Sequence, residues 1–480
     1  MTQPRHRSGS PASSRSANRD DAPRQVLVPA LGALLLAALP LQAMAAPPEP
    51  TPAEPPMMAA IMTAPSVEQM DDHKLLVMLR LPPPHYRPDA SYGGRYNDDN
   101  GRSARRRTAV DLARTHGLTL LDDWPMPVLG VDCYVMRYAD NASAERVLAV
   151  LARDPRVEWA QQVALYDGMG EPQAATAVPA PLARNSIAKA DIARNTTLHT
   201  DTDALYPTQP SAKLWHLVEL HRLTTGRNIS VAVIDSGIDA SHPDLAQQLS
   251  VSENFVGPGA TPPELHGTAV AGIIAARAGN GGIIGVAPEA RLMALRACWQ
   301  LPDRATRCSS FTLGKAINYA ILHGAKVINL SLSGPPDRLL DRLTDVALER
   351  GITVVGAVDP QATGATFPAS HPGVLAVASL TAVPPHGVLL APGRDIPTTA
   401  PGARWQFVNG SSYAAAHVSG MAALLAQLQP DASPARLRTL LSPADSANAG
   451  TIDACHSIAR LTLTTLPPDG AAGSACSSLR

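Results

Sequence analysis

Charge of one sign is missing from this chain: 40 Lys plus Arg stand against 41 Asp plus Glu in 480 residues. No basic surface therefore argues for a nucleic acid or an anionic membrane as partner, and partners are to be sought through a site. An unbroken apolar run of the roughly 20 residues needed to span a bilayer is missing where one is first looked for. The apolar stretch 26–41 is too short and is interrupted by Pro29 and Pro40. It follows a polar region carrying Arg5, Arg7, Arg15, Arg19 and Arg24 and precedes Ala43-Met44-Ala45. That order is the pattern of a secretory signal peptide cleaved after Ala45, which predicts a secreted or periplasmic protein with no stable membrane anchor once the signal is removed. A C-x-x-C pair is also absent, so zinc is not expected of the five cysteines. Export favours disulfides instead. With Cys133 set apart on an N-terminal segment, proximity suggests Cys298 with Cys308 and Cys455 with Cys476, although four cysteines allow three pairings.

What is present is loop chemistry around a globular composition. Prolines number 45 and glycines 34, while apolar residues make up an ordinary 45%. After the signal (1–45) and a Pro-rich linker (46–66), residues 67–166 read as a small domain. Strand patterns at 74–82, 118–124, 131–138 and 156–162 and helix patterns at 104–116 and 143–154 give the order βαββαβ, the split arrangement of ferredoxin-like α+β domains. Residues 167–205 have no sustained period and read as a cleavable tether. Beyond it, 206–443 form a large domain, and 444–480 a tail carrying Cys455 and Cys476. Short apolar runs at 229–235, 291–297, 325–333, 352–358 and 373–379 alternate with helices stopped by Gly324 and Gly351. Runs apolar on both faces are what parallel strands covered on both sides require, so the expected fold is α/β, a doubly wound, mostly parallel sheet. Ligands of such sheets bind beyond the carboxyl ends of the strands.

Three motifs carry chemistry. Asp235 closes the strand "VAVID" and opens the tight turn of "VIDSGIDASHPDL"; His266 begins "HGTAVAG"; Ser412 lies in "NGSSYAAAHVSG" at the start of a helix of small residues. Singly, each has a bland explanation: a turn carboxylate, a surface histidine, a helix cap. In this order, with "GVAP" at 285–288 and "INLSLSGP" between the His and Ser motifs, the chain resembles the subtilisin-like serine protease family over residues 206 to 430. An α/β-hydrolase is disfavoured, because G-x-S-x-G is absent at Ser412 and the order there would be Ser, Asp, His.

The resemblance implies a serine endopeptidase acting on protein or peptide substrates through Asp235, His266 and Ser412, with no cofactor required for chemistry. The family pattern Gly-Thr-Ser-Met-Ala selects Ser412 over Ser411 and aligns Tyr413 with the methionine. Ser331, Leu332, Ser333 and Gly334 align with the strand that pairs with an extended substrate. The small N-terminal domain resembles the family's inhibitory propeptide, making it a partner of its own protease until removed. Three departures matter. Ala269 and Ala416 replace a histidine and a proline, and Asp359 stands where an asparagine donates into the oxyanion hole. That substitution keeps a second expectation open, a catalytically weak peptide-binding relative. Asp244 matches a calcium-ligand position, while Gly279 stands where a ligand asparagine is expected, so structural calcium is left open.

Overall fold

Central strands of the small domain are apolar on both faces, because both faces are covered. The computed structural model describes residues 73–81, 99–170, 177–178, 203–380, 386–442 and 450–462. The signal peptide, the Pro-rich linker, most of the tether and Cys476 lie outside the described residues. The small domain runs β1 (Lys74–Arg80), α1 (Asp99–Thr115), β2 (Thr119–Met126), β3 (Val131–Arg137), α2 (Ala144–Leu151) and β4 (Val157–Gln162). Its antiparallel sheet has the order β2-β3-β1-β4. Successive side chains of a strand point to opposite faces. Leu75, Val77 and Met136 accordingly pack with Ala109, Leu112 and Leu151 of the helices, while Leu76, Met78, Cys133 and Val135 join the core of the large domain.

The chain continues through β5 (Leu165–Gly168), β6 (Ala177–Val178), α3 (Pro210–Trp215), α4 (Leu217–His221), β7 (Ser230–Asp235), β8 (Leu249–Asn254) and α5 (Leu265–Ala275). Then come β9 (Arg291–Arg296), β10 (Cys298–Gln300), β11 (Thr306–Ser309), α6 (Ser310–Leu322), β12 (Val327–Leu330), β13 (Leu332–Ser333), α7 (Arg338–Glu349) and β14 (Thr353–Ala357). The last elements are β15 (Leu375–Ser379), β16 (Leu389–Ala391), β17 (Ile396–Ala400), β18 (Arg404–Val408), α8 (Ser411–Leu428), α9 (Pro434–Leu441) and α10 (Ala454–Thr462). Seven strands form one parallel sheet in the order β16-β15-β14-β12-β7-β9-β8.

Alternation again separates two cores. Val231, Val233, Leu292 and Ala294 face α5 and α8, whereas Ala232, Ile234, Met293 and Leu295 face α6 and α7. The doubly wound α/β fold is therefore borne out. All described residues belong to one compact unit, Met70–Arg480, and no helix among them is long and apolar enough to cross a membrane.

One boundary needs correction. Asp167 does not begin a tether: Leu165–Gly168 is a strand inserted antiparallel between β11 and β13. Two sheet edges with unpaired backbone groups supply its hydrogen bonds, a tertiary cause that local periodicity does not carry. The tether's far end is also ordered, since Asp203 takes N–H groups from Gly279 and Gly281 at 2.7 and 2.9 Å.

Candidate active site

Parallel strands bring their last residues to one edge of the sheet, and β7 delivers Asp235 there, buried. Asp235 Oδ1 accepts the N–H of Ser236 at 2.7 Å and lies 2.8 Å from Nδ1 of His266. His266 is the second residue of α5, and the helix start is fastened to the turn after Asp235. Ser236 Oγ accepts the N–H of Gly267, and Glu264 accepts the N–H of Gly237 and Gln300 while paired with Arg296. This bonding aims the imidazole with Nδ1 toward the carboxylate. Nε2 is buried and has no hydrogen-bond partner.

Ser412 lies in the first turn of α8, fully buried, and its hydroxyl donates to Ser331 O at 2.8 Å. The three motif residues meet in one site, but the serine hydroxyl is bonded to a backbone carbonyl rather than to His266.

The cleft holds a segment of the chain itself. Tyr166 and Asp167 pair with Cys308 and Arg307 on one side, and Gly168 and Asp167 with Leu332 and Ser333 on the other. Met169 N–H donates to Ser331 O at 3.3 Å, and Met169 O accepts the N–H of Ser412 at 3.3 Å. Gly170 bridges to Gly410, whose φ of +140° and close approach both require glycine: a Cβ there would meet Met169 O and Gly170 Cα. The Tyr166 ring is buried edge-on to Phe367, its hydroxyl donating to Pro335 O at 3.1 Å, and a side chain at Gly334 would run into it. Asp167 pairs with Arg307 at 3.0 Å. The sequence reading missed this segment, together with Glu264, Arg296 and Arg307. Its one local signal was an aromatic between two apolar residues and two glycines.

Ser331, Leu332 and Ser333 thus face an extended segment of the chain itself, and Gly334 adjoins it through Tyr166. Asp359 lies beside the start of α8, because Ser411 Oγ donates to Val358 O at 2.6 Å. Its carboxylate turns into its own loop and accepts the N–H of Gln361 at 2.8 Å. Cys298 and Cys308 are bonded across β10 and β11. Cys133 is buried, and burial pushes its thiol up. Cys455 lies in α10, and its suggested partner is outside the described residues.

Asp244 does not fit calcium. Its Oδ2 accepts Trp405 Nε1–H at 2.7 Å and Ile283 N–H at 3.2 Å, so that oxygen is directed at N–H donors. The neighbouring loop turns the N–H groups of Gly279 and Gly281, not carbonyl oxygens, toward the Asp203 carboxylate. Calcium requires several oxygen ligands around one point, and among the described residues no group of three acidic, histidine or cysteine side chains converges on one.

Fold and site together define a doubly wound α/β protein with Asp, His and Ser, in that chain order, at the carboxyl edge of a parallel sheet. The model of the Subtilase family matches residues 226–455. Subtilisin from Bacillus pumilus is 37% identical over 236 residues, covering 45% of this chain and 83% of that protein. Subtilisin NAT from Bacillus subtilis subsp. natto is 38% identical over 236 residues, covering 45% of this chain and 60% of that protein. The crystal structure of fervidolysin from Fervidobacterium pennivorans, a keratinolytic enzyme related to subtilisin, superposes with a TM-score of 0.59 at 22% identity, over 81% of this chain and 61% of that one. This chain belongs to the subtilase family. It spans three fifths of the length of Subtilisin NAT.

Proposed function

We propose that the protein is an exported serine endopeptidase and that its first substrate is its own chain, at the Met169–Gly170 bond. The observation that carries the reading is the resident segment, whose Met169 carbonyl accepts from Ser412 N–H while the next residue lies against the His266 ring. In the reaction Ser412 Oγ leaves Ser331 O, passes its proton to His266 Nε2 and bonds to the Met169 carbonyl carbon. His266, held in the right tautomer by Asp235, returns the proton to Gly170 N as the peptide bond breaks. Water, deprotonated by the same nitrogen, then releases Met169 as a carboxylate and restores Ser412. The small domain keeps its sheet packed on α6 and α7 after the cut and so remains an inhibitor until degraded.

The N-terminal basic, apolar and A-x-A order supports export. Ser412→Ala should arrest the chain at full length and abolish labelling by a fluorophosphonate, while the active chain yields a new N-terminus at Gly170 on sequencing. Processing of purified Ser412→Ala at the same bond would overturn the reading. The second reading, a peptide-binding relative that turns over poorly, draws on the Asp359 carboxylate, which accepts Gln361 N–H within its own loop, and on the Ser412–Ser331 bond. It predicts a labelled serine without measurable peptide turnover.

A further inference from the structure

Glycine at position 170 is a matter of space rather than of backbone conformation. Its φ lies outside the left-handed region, so an L-residue could adopt the same backbone. A Cβ at that position, however, would stand 2.6 Å from Tyr413 Oη, 3.1 Å from Tyr413 Cζ and 3.0 Å from His266 Cδ2. Carbon pairs rest comfortably at roughly 3.5–4.0 Å. Neither wall can retreat cheaply. His266 is held by Asp235 on one side, and its ring meets the Tyr413 ring with centroids 5.6 Å apart. Tyr413 is itself buried in the core that α8 shares with the sheet, and its carbonyl accepts His417 Nδ1–H at 2.7 Å. The third wall is Gly410, bridged to Gly170 through the backbone.

We propose that Tyr413 restricts the residue immediately after the cleaved bond to glycine. The proposal rests on the endopeptidase reading and deepens it by naming a substrate class: extended segments whose leaving side begins with glycine. Tyr413 stands where the family pattern has methionine, an unbranched thioether that adapts its shape, and a phenol ring cannot do the same. The preceding glycine is under weaker constraint. A Cβ on Gly168 would lie 3.0 Å from Thr306 Cβ and 3.4 Å from His266 Nε2, contacts that a small shift of the β10–β11 hairpin relieves.

The test uses the full chain and reads two quantities. In the active protein, Gly170→Ala should slow processing at residues 169–170 by roughly 10- to 200-fold, the range over which a tight pocket discriminates a single carbon. Combining it with Tyr413→Met should recover most of the lost rate, and with Tyr413→Phe, which removes only the nearest atom, part of it. In the Ser412→Ala background no bond is cut, and hydrogen exchange of the Met169 and Asp167 amides reports docking alone. Gly170→Ala should there lose protection, and the Tyr413 variants should restore it. Processing or protection of Gly170→Ala equal to the parent would overturn the proposal, as would a defect unchanged in both Tyr413 variants. Failure of the endopeptidase reading looks different: the parent chain stays uncut while the exchange measurement still decides the role of Tyr413.

Discussion

In the proposed cleavage the Met169 oxygen is where negative charge gathers, and Ser412 N–H already lies 3.3 Å from it. A second donor is what the family asparagine supplies and what an ionised carboxylate, an acceptor only, cannot. The tie between Ser411 and Val358 keeps residue 359 beside the helix start, and the Asp359 carboxylate occupies itself with Gln361 N–H. Asparagine at 359 carries an amide that can donate to the Met169 oxygen once its side chain turns out of the loop and gives up the Gln361 N–H. One oxyanion donor is generally worth about 10²- to 10³-fold in turnover. Asp359→Asn should therefore raise kcat on a glycine-containing peptide, with KM less changed because the interaction forms mainly in the transition state. An equal or lower kcat in steady-state kinetics of the two proteins would mean that the loop aims residue 359 elsewhere.

Among the elements, the β10–β11 hairpin is the one whose local bonding reaches the cleft most directly. Its disulfide joins Cα partners Cys298 and Cys308, and the next residues of β11 pair with the resident segment. Closing a ten-residue separation should contribute about 2–3 kcal/mol in the chain-entropy model. Replacing both cysteines by serine in a Ser412→Ala chain should lower the unfolding free energy by that amount, read from denaturant midpoints, and should loosen exchange protection in Arg307 and Ser309. Elements of this kind also mark how far the sequence could be read. Strands β7, β9, β12, β14 and β15 announced themselves because burial on both faces demands continuous apolar runs. Strand β8, with Ser250, Ser252, Glu253 and Asn254, lies at an edge of the sheet and carries no such run. Strand β5 exists only because β11 and β13 present unpaired edges to it. Asp235, His266 and Ser412 were legible as motifs, since their chemistry fixes residue type locally. The parts played by Tyr413 and Asp203 were not, because each depends on a backbone that only folding brings alongside.

At the scale of the whole molecule, opposed buried charges make stability a function of pH, and Asp244 is where the sign is clearest. Its side chain is completely buried against Trp405, Oδ1 lacks a hydrogen-bond partner, and the Asp203 carboxylate lies near. Burial, with the Asp203 charge adding to it, pushes Asp244 up to about 6 from an ordinary 3.8. A folded-state value above the unfolded one means that the native chain holds the extra proton. The contribution is fully present below the unfolded value and is lost as pH rises through about 6. His221 and His417 run the other way. Burial pushes each down to about 4, so their contribution is present above the ordinary histidine value near 6.5 and is lost as pH falls through 4. Asp244→Asn removes only the first of these opposing effects. Its oxygen still accepts from Trp405 and Ile283, and the added amide contributes an offset that does not change with pH. Relative to the parent, the variant should therefore gain on the order of 2–3 kcal/mol between pH 4 and pH 7.5. Urea unfolding of the two chains in a Ser412→Ala background at both pH values would measure this, and chelation of divalent cations should leave all four midpoints in place. A difference between the chains that stays constant with pH would mean that Asp244 is already ionised in the native state at pH 4, and a chelator-induced fall in the parent alone would mean that a cation, not the N–H donors of Trp405 and Ile283, neutralises it.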